Sequence, residues 1–230
     1  MKTINTLILL TALGGSACAT TITQTKTKAA YLAGNPEVLT FSKFDSSLGQ
    51  LTGITVGFSF VKSGGSLAVD NDGTLGGSVL FRHDLESYLT SSTVNIGSSS
   101  VYNTALARST ASFTVGANDG DNTDTFDIGT SDHHVYNAVT KTTTFATENI
   151  SSNFWGDYIG TGNYDIHFET IQSYSASGIG GLQTLGLAAS VTPTVTVTYD
   201  YTPTAIPELA SWMMICLGLG GALFIRRRSV

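Results

Sequence analysis

Hydrophobic and polar residues alternate with a period of two in several stretches of the chain. The clearest runs are 54–60, 164–169 and 191–201, in which aliphatic and aromatic residues alternate with small, hydroxyl or charged ones. This period, with one polar face, is typical of half-buried antiparallel strands. Clusters of Asp, Asn and Gly at 70–73 and 160–163 mark turns. The pattern predicts an all-β fold, an antiparallel β-sandwich of roughly eight to ten strands, jelly-roll or Ig-like, with closure into a barrel as the alternative.

Helix signals are few. The segment 83–89 could form one short helical turn, because Leu85 and Leu89 are four residues apart. Composition agrees with a sheet protein, since the chain of 230 residues contains 25 Gly and only 12% charged residues. The 41% of apolar residues is enough to bury a core, which argues against disorder. No basic stripe accompanies the net charge of −6, so nucleic acid is not a predicted partner.

The first 19 residues have the pattern of a signal peptide. Lys2 supplies a positive start, an apolar run at 7–13 follows, and Ala17 and Ala19 form a small-x-small cleavage site. The apolar run is too short to span a bilayer of about 30 Å. Lipoprotein processing at Cys18 is the alternative. The sequence therefore predicts an N-terminal signal helix over 1–19 that directs export.

The last 25 residues, 206–230, have the pattern of a membrane anchor. The apolar stretch 209–225 would be about 25 Å long as a helix, enough for a thin bilayer. Adjacent arginines after it would stay cytoplasmic, and small residues would allow close packing against another helix. The predicted anchor residues are Trp212, Gly218, Gly220, Gly221, Arg226, Arg227 and Arg228. The alternative, a buried C-terminal core helix, does not account for the terminal arginines.

This tail resembles the PEP-CTERM sorting signal of Gram-negative bacteria. The family has a Pro-Glu-Pro motif, a short glycine-rich transmembrane helix and a terminal arginine cluster. Pro207 and Glu208 match the motif, and Leu209 stands where the family has its second proline. The resemblance implies recognition by an exosortase, a membrane transpeptidase-like protease.

The remaining segment, 20–205, is the predicted exported domain. It resembles the choice-of-anchor E domain in the motifs at 44–52, 124–127, 158–162 and 195–201. The resemblance implies an exported, anchored β domain with no known chemistry. Cleavage after Ala19 would leave the exported domain without cysteine, because the chain's two cysteines lie in the signal and the anchor. We therefore expect no disulfide in it.

Two groups of residues are candidate metal sites. The aspartates of one acidic stretch could bind calcium, but their spacing lacks the EF-hand order, so a solvated loop is the alternative. His133 and His134 would point to opposite faces of a strand and could not share one ion. We therefore predict no metal and no cofactor. The acidic stretch comprises Asp119, Asp121, Asp124, Asp127 and Asp132.

An aromatic segment is the candidate ligand site. Trp155, Asp157 and Tyr158 lie on a predicted loop, where rings and a carboxylate could hold a sugar; the same rings could instead cap the end of the sandwich. The sequence has no Gly-x-Ser-x-Gly motif and no phosphate-binding glycine loop. No catalytic residue is predicted.

Together these patterns and the two resemblances imply an exported, non-enzymatic bacterial protein. It would be anchored in the inner membrane by its C-terminus, then sorted to the cell surface or extracellular matrix. Its expected partners are the membrane, an exosortase and an exopolysaccharide of the biofilm. The alternative is a carbohydrate-binding module displayed at the cell surface.

Overall fold

The computed structural model describes residues 19–97, 101–120, 126, 129–144 and 147–204, with only the backbone described at 101–104. These residues form eleven strands, two short 3-10 turns (Ser46–Leu48 and Ser152–Phe154) and one helical turn, α1 (Trp155–Tyr158). The strands are β1 Thr20–Thr27, β2 Tyr31–Leu32, β3 Glu37–Ser42, β4 Gly49–Asn71, β5 Gly77–Thr90, β6 Val101–Val115, β7 His134–Asn137, β8 Lys141–Thr144, β9 Glu148–Asn149, β10 Asn163–Ser177 and β11 Leu182–Pro203.

The strands pack as two antiparallel sheets. Sheet A has the order β1-β11-β4-β7, with β2 also paired to β11 and with β8 and β9 also paired to β4. Sheet B has the order β3-β10-β5-β6. The prediction of a mostly antiparallel, jelly-roll-like β-sandwich is confirmed. The strand count exceeds eight to ten because β7, β8 and β9 are short pieces that pair in turn along one edge of β4.

The alternating runs face the core as predicted. Inward side chains of β4, β10 and β11 are almost fully buried, while their alternate neighbours face the outer sides of the sheets. Aromatic rings join the two sheets, because Phe168 of β10 makes edge contacts with Phe58 and Phe60 of β4 at 5.8 and 5.9 Å between ring centroids. The hydrophobic effect of this burial is what holds the sheets face to face.

The predicted helical turn at 83–89 is wrong. These residues belong to β5, which pairs with β10 on one side and β6 on the other. His83, Leu85, Ser87 and Leu89 face the core, which is a period of two. Residues four apart share a face in a strand as well as in a helix, so the leucine spacing did not distinguish the two.

The two ends of the sandwich differ. Thr20 pairs with Tyr201, and the Thr204 N–H donates to the Leu48 carbonyl, so both described chain ends lie at one end, here called the terminal end. The β4–β5 and β10–β11 turns meet at the other, the turn end, where the Asp72 N–H donates to the Gly181 carbonyl. β11 has 22 residues, so the ends are on the order of 70 Å apart.

The core is divided along this axis. One cluster of buried apolar residues fills the half nearer the terminal end, and a smaller one, built around Leu67, Val69 and Phe81, fills the half nearer the turn end. The division falls at Gly64 and Gly65 of β4, both with positive φ. Inward residues are even-numbered from Ile54 to Lys62, before these glycines, and odd-numbered at Leu67 and Val69, after them. Glycine adopts this conformation without the steric penalty of a Cβ atom.

Candidate functional site

A row of polar side chains lies between the two apolar clusters. Tyr174 of β10, His83 of β5 and Ser109 of β6 are direct cross-strand neighbours on the inner face of sheet B. From sheet A, the Lys62 ammonium donates to Ser109 Oγ at 3.1 Å. The rings of His83 and Tyr174 stack at 4.4 Å between centroids. We call Lys62, His83, Ser109 and Tyr174 the polar row.

Gly65 makes room for this row. A Cβ atom at Gly65 would lie 2.4 Å from His83 Cε1, closer than any side chain tolerates. A Cβ at Gly186 of β11 would lie 2.7 Å from the Tyr174 ring. The two rings therefore pack directly against the backbone of sheet A, and the absence of side chains at these glycines sets the local distance between the sheets.

Burial controls the charges in the row. Lys62 and His83 are both fully buried. Burial and the nearby Lys141 ammonium lower the pKa of Lys62 to about 8, although Asp84 opposes this shift. Burial and the Lys62 ammonium lower the pKa of His83 to about 4, although the Gln172 side chain and the Asp84 carboxylate oppose this shift. At neutral pH the row therefore contains a buried cation beside a neutral imidazole.

A lysine hydrogen-bonded to a serine is a known arrangement of base and nucleophile. Here Lys62 and Ser109 are 0% and 1% exposed, and both lie between the sheets, so a substrate has no route to them. The polar row is consequently a feature of the core rather than an active site. Sequence reasoning missed it, although the alternation of 54–60, continued by one step, places Lys62 on the buried face.

The outer face of sheet B carries an ion-pair cluster. Arg108 donates to both oxygens of Asp84, with Nε 2.8 Å and Nη2 3.0 Å from them, and Arg82 Nε lies 2.7 Å from Oδ2. Burial alone would raise the pKa of Asp84, but the hydrogen bonds from the two arginines outweigh it and hold that pKa below its usual value. Because both oxygens of the Asp84 carboxylate are bonded to the arginines, we assign the cluster a structural role.

The aromatic segment lies near the terminal end. The Trp155 indole is half-buried against the core and donates to the Ile150 carbonyl at 3.0 Å, while Asp157 is exposed. Tyr158 is fully buried, and its hydroxyl donates to the Asn95 carbonyl at 2.6 Å. The Tyr158 ring therefore belongs to the core and cannot stack on a sugar, which corrects its selection as a ligand residue. The geometry fits the alternative, in which these rings cap the sandwich.

A cluster of tyrosines explains why Tyr158 is buried. Its ring lies edge-on to Tyr164 at 5.1 Å, and the hydroxyls of Tyr164 and Tyr199 are 2.8 Å apart. Tyr199 also donates to the Ser42 carbonyl at 3.0 Å. Burial raises the pKa of Tyr199 to about 12, so its phenol stays neutral. Its hydrogen bonds connect β11 of sheet A with β3 and β10 of sheet B.

The predicted acidic stretch is described only in part. Asp132 is 1% exposed, and its Oδ2 accepts the backbone N–H of Asp119 at 2.8 Å; Asp121, Asp124 and Asp127 lie outside the described residues. His134 begins β7 and packs on Phe113 at 3.9 Å. Nowhere in the described ranges do three His, Cys, Asp or Glu side chains meet in a way that could hold a metal ion.

The predicted signal and anchor lie mainly outside the described residues. This applies to Ala17 and to all the sorting and anchor residues within 206–230, whereas Ala19 is the first described residue. Among the described residues of 19–204, which exclude the gaps stated above, no helix is long and apolar enough to cross a bilayer.

No protein-family model and no curated protein matches this chain. Among solved structures, one of the Gx strain of infectious bursal disease virus is similar at 12% identity and a TM-score of 0.23, over 88% of this chain and 43% of that one. A structure of desmodium yellow mottle tymovirus is similar at 8% identity and a TM-score of 0.20, over 89% of this chain and 98% of that one. A structure of mud crab tombus-like virus is similar at 10% identity and a TM-score of 0.18, over 93% of this chain and 96% of that one. The chain spans less than half the length of the first. We draw nothing about function from likenesses at these TM-scores.

Proposed function

We propose that this chain is an exported, non-enzymatic bacterial protein, anchored in the inner membrane by residues 206–230 and sorted to the cell surface or extracellular matrix, where it associates with exopolysaccharide. The observation that carries the proposal is the pairing of Thr20 with Tyr201. A signal peptide before Thr20 and an anchor after Thr204 would both leave from the terminal end. The domain would then project its turn end away from the membrane.

The chemistry of the described residues supports a non-enzymatic role. The groups best suited to catalysis, Lys62, His83 and Ser109, are buried between the sheets. The arginines of sheet B are engaged with Asp84. The strands of the described residues run from Thr20 to Pro203, which agrees with a working domain flanked by two targeting segments.

Topology provides the first test. A periplasm-dependent reporter fused after residue 205 should be active, because residues 20–205 are proposed to cross the membrane while Lys2 and the arginine triplet stay cytoplasmic. A reporter fused after residue 230 is the matched control and should be inactive. Activity of a cytoplasm-dependent reporter at residue 205 would contradict the proposed topology.

Processing of the tail provides a second test. The mass of the mature protein should be lower in a host with an exosortase than in one without it. Replacement of Pro207 and Glu208 by Ala should abolish this difference but leave membrane insertion intact, because the apolar stretch and the arginines are unchanged. An identical full-length mass in both hosts would make the tail a plain membrane anchor.

The alternative function is carbohydrate binding, and one surface favours it. A groove of about 270 Å³ lies on the outer face of sheet A, lined by Gly57, Phe58 and the hydroxyl residues Ser59, Thr144, Thr147, Thr194 and Thr196. Threonines of β1 and β11 extend this surface through three hydroxyl pairs at 2.9–3.2 Å, which are Thr23–Thr198, Thr25–Thr196 and Thr27–Thr194. An array of hydroxyls without charged lining residues suits a neutral glycan. If this function holds, replacing Thr194 and Thr196 with Val should weaken retention on immobilised exopolysaccharide more than Trp155→Ala does.

A further inference from the structure

Two loops lie together at the terminal end of the sandwich. One comprises residues 43–48, between β3 and β4, and the other comprises residues 159–162, between α1 and β10. Their backbones are joined, because the Gly160 N–H donates to the Phe44 carbonyl at 3.0 Å and Phe44 forms a parallel bridge with Ile159. The two loops therefore form one continuous surface, which we call the terminal surface.

The terminal surface exposes two large aliphatic side chains. Leu48 is 43% exposed and Ile159 is 37% exposed. The loops that carry them are attached to the core by Phe44, which is fully buried and whose ring lies 5.8 Å from that of Tyr199 and 5.3 Å from that of Tyr201. This attachment keeps the two aliphatic side chains on the outside, in water, unless another surface covers them.

The charges around the terminal surface nearly cancel. Lys43 and Asp45 belong to its first loop, and the exposed Asp157 lies just before its second loop. Asp45 is ionised, because a hydrogen bond from the Ser47 N–H holds the pKa of its carboxyl below the usual value. One ammonium and two carboxylates leave a net charge of −1. A surface of this kind suits a zwitterionic lipid headgroup better than an anionic one, which it would repel.

The chain leaves the sandwich beside this surface. The Thr204 N–H donates to the Leu48 carbonyl at 3.1 Å, so the last described residue is fixed next to the exposed leucine. The apolar stretch of the proposed anchor begins at Leu209, five positions later. Five residues span at most about 17 Å even when fully extended. If the anchor is in the bilayer, this short tether gives the lipid a high effective concentration at the terminal surface.

We propose that the terminal surface docks on the bilayer that holds the anchor, with Leu48 and Ile159 inserted at the level of the lipid headgroups. The inference rests on the proposed anchor, which brings the lipid within reach. Both side chains leave water on docking, which is favourable in proportion to the apolar area that is buried. Docking would also fix the direction in which the sandwich projects, so that its turn end points away from the membrane.

Spin labels on single cysteines test the docking in liposomes of zwitterionic phosphatidylcholine. The full chain, with Cys18 and Cys216 replaced by Ser, is labelled at Thr161→Cys in the exposed turn of the terminal surface. A label at Thr74→Cys, in the exposed β4–β5 turn at the turn end, is the matched control. We expect the ratio of collisions with oxygen to collisions with a water-soluble nickel chelate to be several-fold higher for the Thr161 label, because oxygen concentrates in lipid and the chelate is excluded from it.

Substitutions then separate docking from mere proximity. Leu48→Glu combined with Ile159→Glu should lower the collision ratio of the Thr161 label to that of the Thr74 label, because a carboxylate resists transfer out of water. Leu75→Glu, at an exposed leucine of the turn end, is the matched control and should leave the ratio unchanged. Equal melting temperatures would show that both variants fold. A long Gly-Ser insertion after residue 205 should preserve most of the protection, because docking does not depend on a taut tether.

Equal collision ratios at Thr161 and Thr74, protection that survives the two glutamates, or protection that the Gly-Ser insertion abolishes would each overturn the docking. A label on the native Cys216, in a chain with Cys18→Ser, reports on the anchor separately. A lipid-embedded Cys216 with a water-exposed Thr161 would support the proposed anchor and overturn the docking. A water-exposed Cys216 with a protected Thr161 would support the lipid contact and contradict the anchor, so the two failures are distinguishable.

Discussion

The free energy of unfolding is expected to fall by about 3 kcal/mol as the pH is lowered from 6.5 to 4, because His83 stays neutral in the folded protein. Its folded pKa is about 4, against an ordinary value of 6.5. Between these values the unfolded chain binds one proton more than the folded chain. Stability therefore falls on acidification across this window, by about 1.4 kcal/mol per pH unit.

Urea unfolding at a series of pH values measures this slope. His83→Leu should remove most of it, whatever its effect on stability at pH 7. His134 is the control, because burial and the neighbouring His133 also lower its pKa, but by less than the shift at His83. A His134→Leu variant should retain the larger part of the slope. The carboxyl groups of Asp84 and Asp132 have pKa values lowered from 3.8, so their protonation affects the free energy of unfolding only below this pH window. A slope that survives His83→Leu would contradict the prediction.

The period-two alternation predicted the strands because it reports burial directly. The runs at 54–60, 164–169 and 191–201 each lie in a strand, with the apolar residues facing the core and the polar residues between them on the outer sides of the sheets. The alternation did not predict which strands pair with each other, since β1 pairs with residues of β11 that are about 175 positions away in the chain. Such pairing depends on the assembled sandwich and leaves no local pattern of residues.

The candidate site was harder to predict than the fold. Trp155, Asp157 and Tyr158 are adjacent in sequence, but only the packing of Tyr158 against Tyr164 and Asn95 decides that its ring is internal. The polar row had a local signal, in that Lys62 continues the buried face and is followed by two glycines, but charge alone suggested exposure.

Replacing Lys62 with methionine, together with Ser109→Ala, is expected to stabilise the folded protein by about 2–3 kcal/mol at pH 7. Lys62 is fully buried, and its hydrogen bond to Ser109 is not an ion pair, so most of the cost of removing the ammonium from water is uncompensated. Methionine keeps the apolar stem without the charge. The alanine avoids leaving the Ser109 hydroxyl buried without its partner, which costs about 1–3 kcal/mol.

The pH dependence of this gain separates charge from packing. The pKa of Lys62 is lowered from 10.5 to about 8 in the folded protein, so below pH 8 the lysine is charged in both states and the full penalty applies. Between pH 8 and 10.5 the folded protein loses the proton first, and the wild type regains stability as the pH rises. Thermal melts of the double variant should therefore show an advantage that is constant below pH 8 and shrinks above it. Ser109→Ala alone is the control and should show no such advantage. A gain independent of pH would mean that better packing, rather than removal of a buried charge, stabilises the variant.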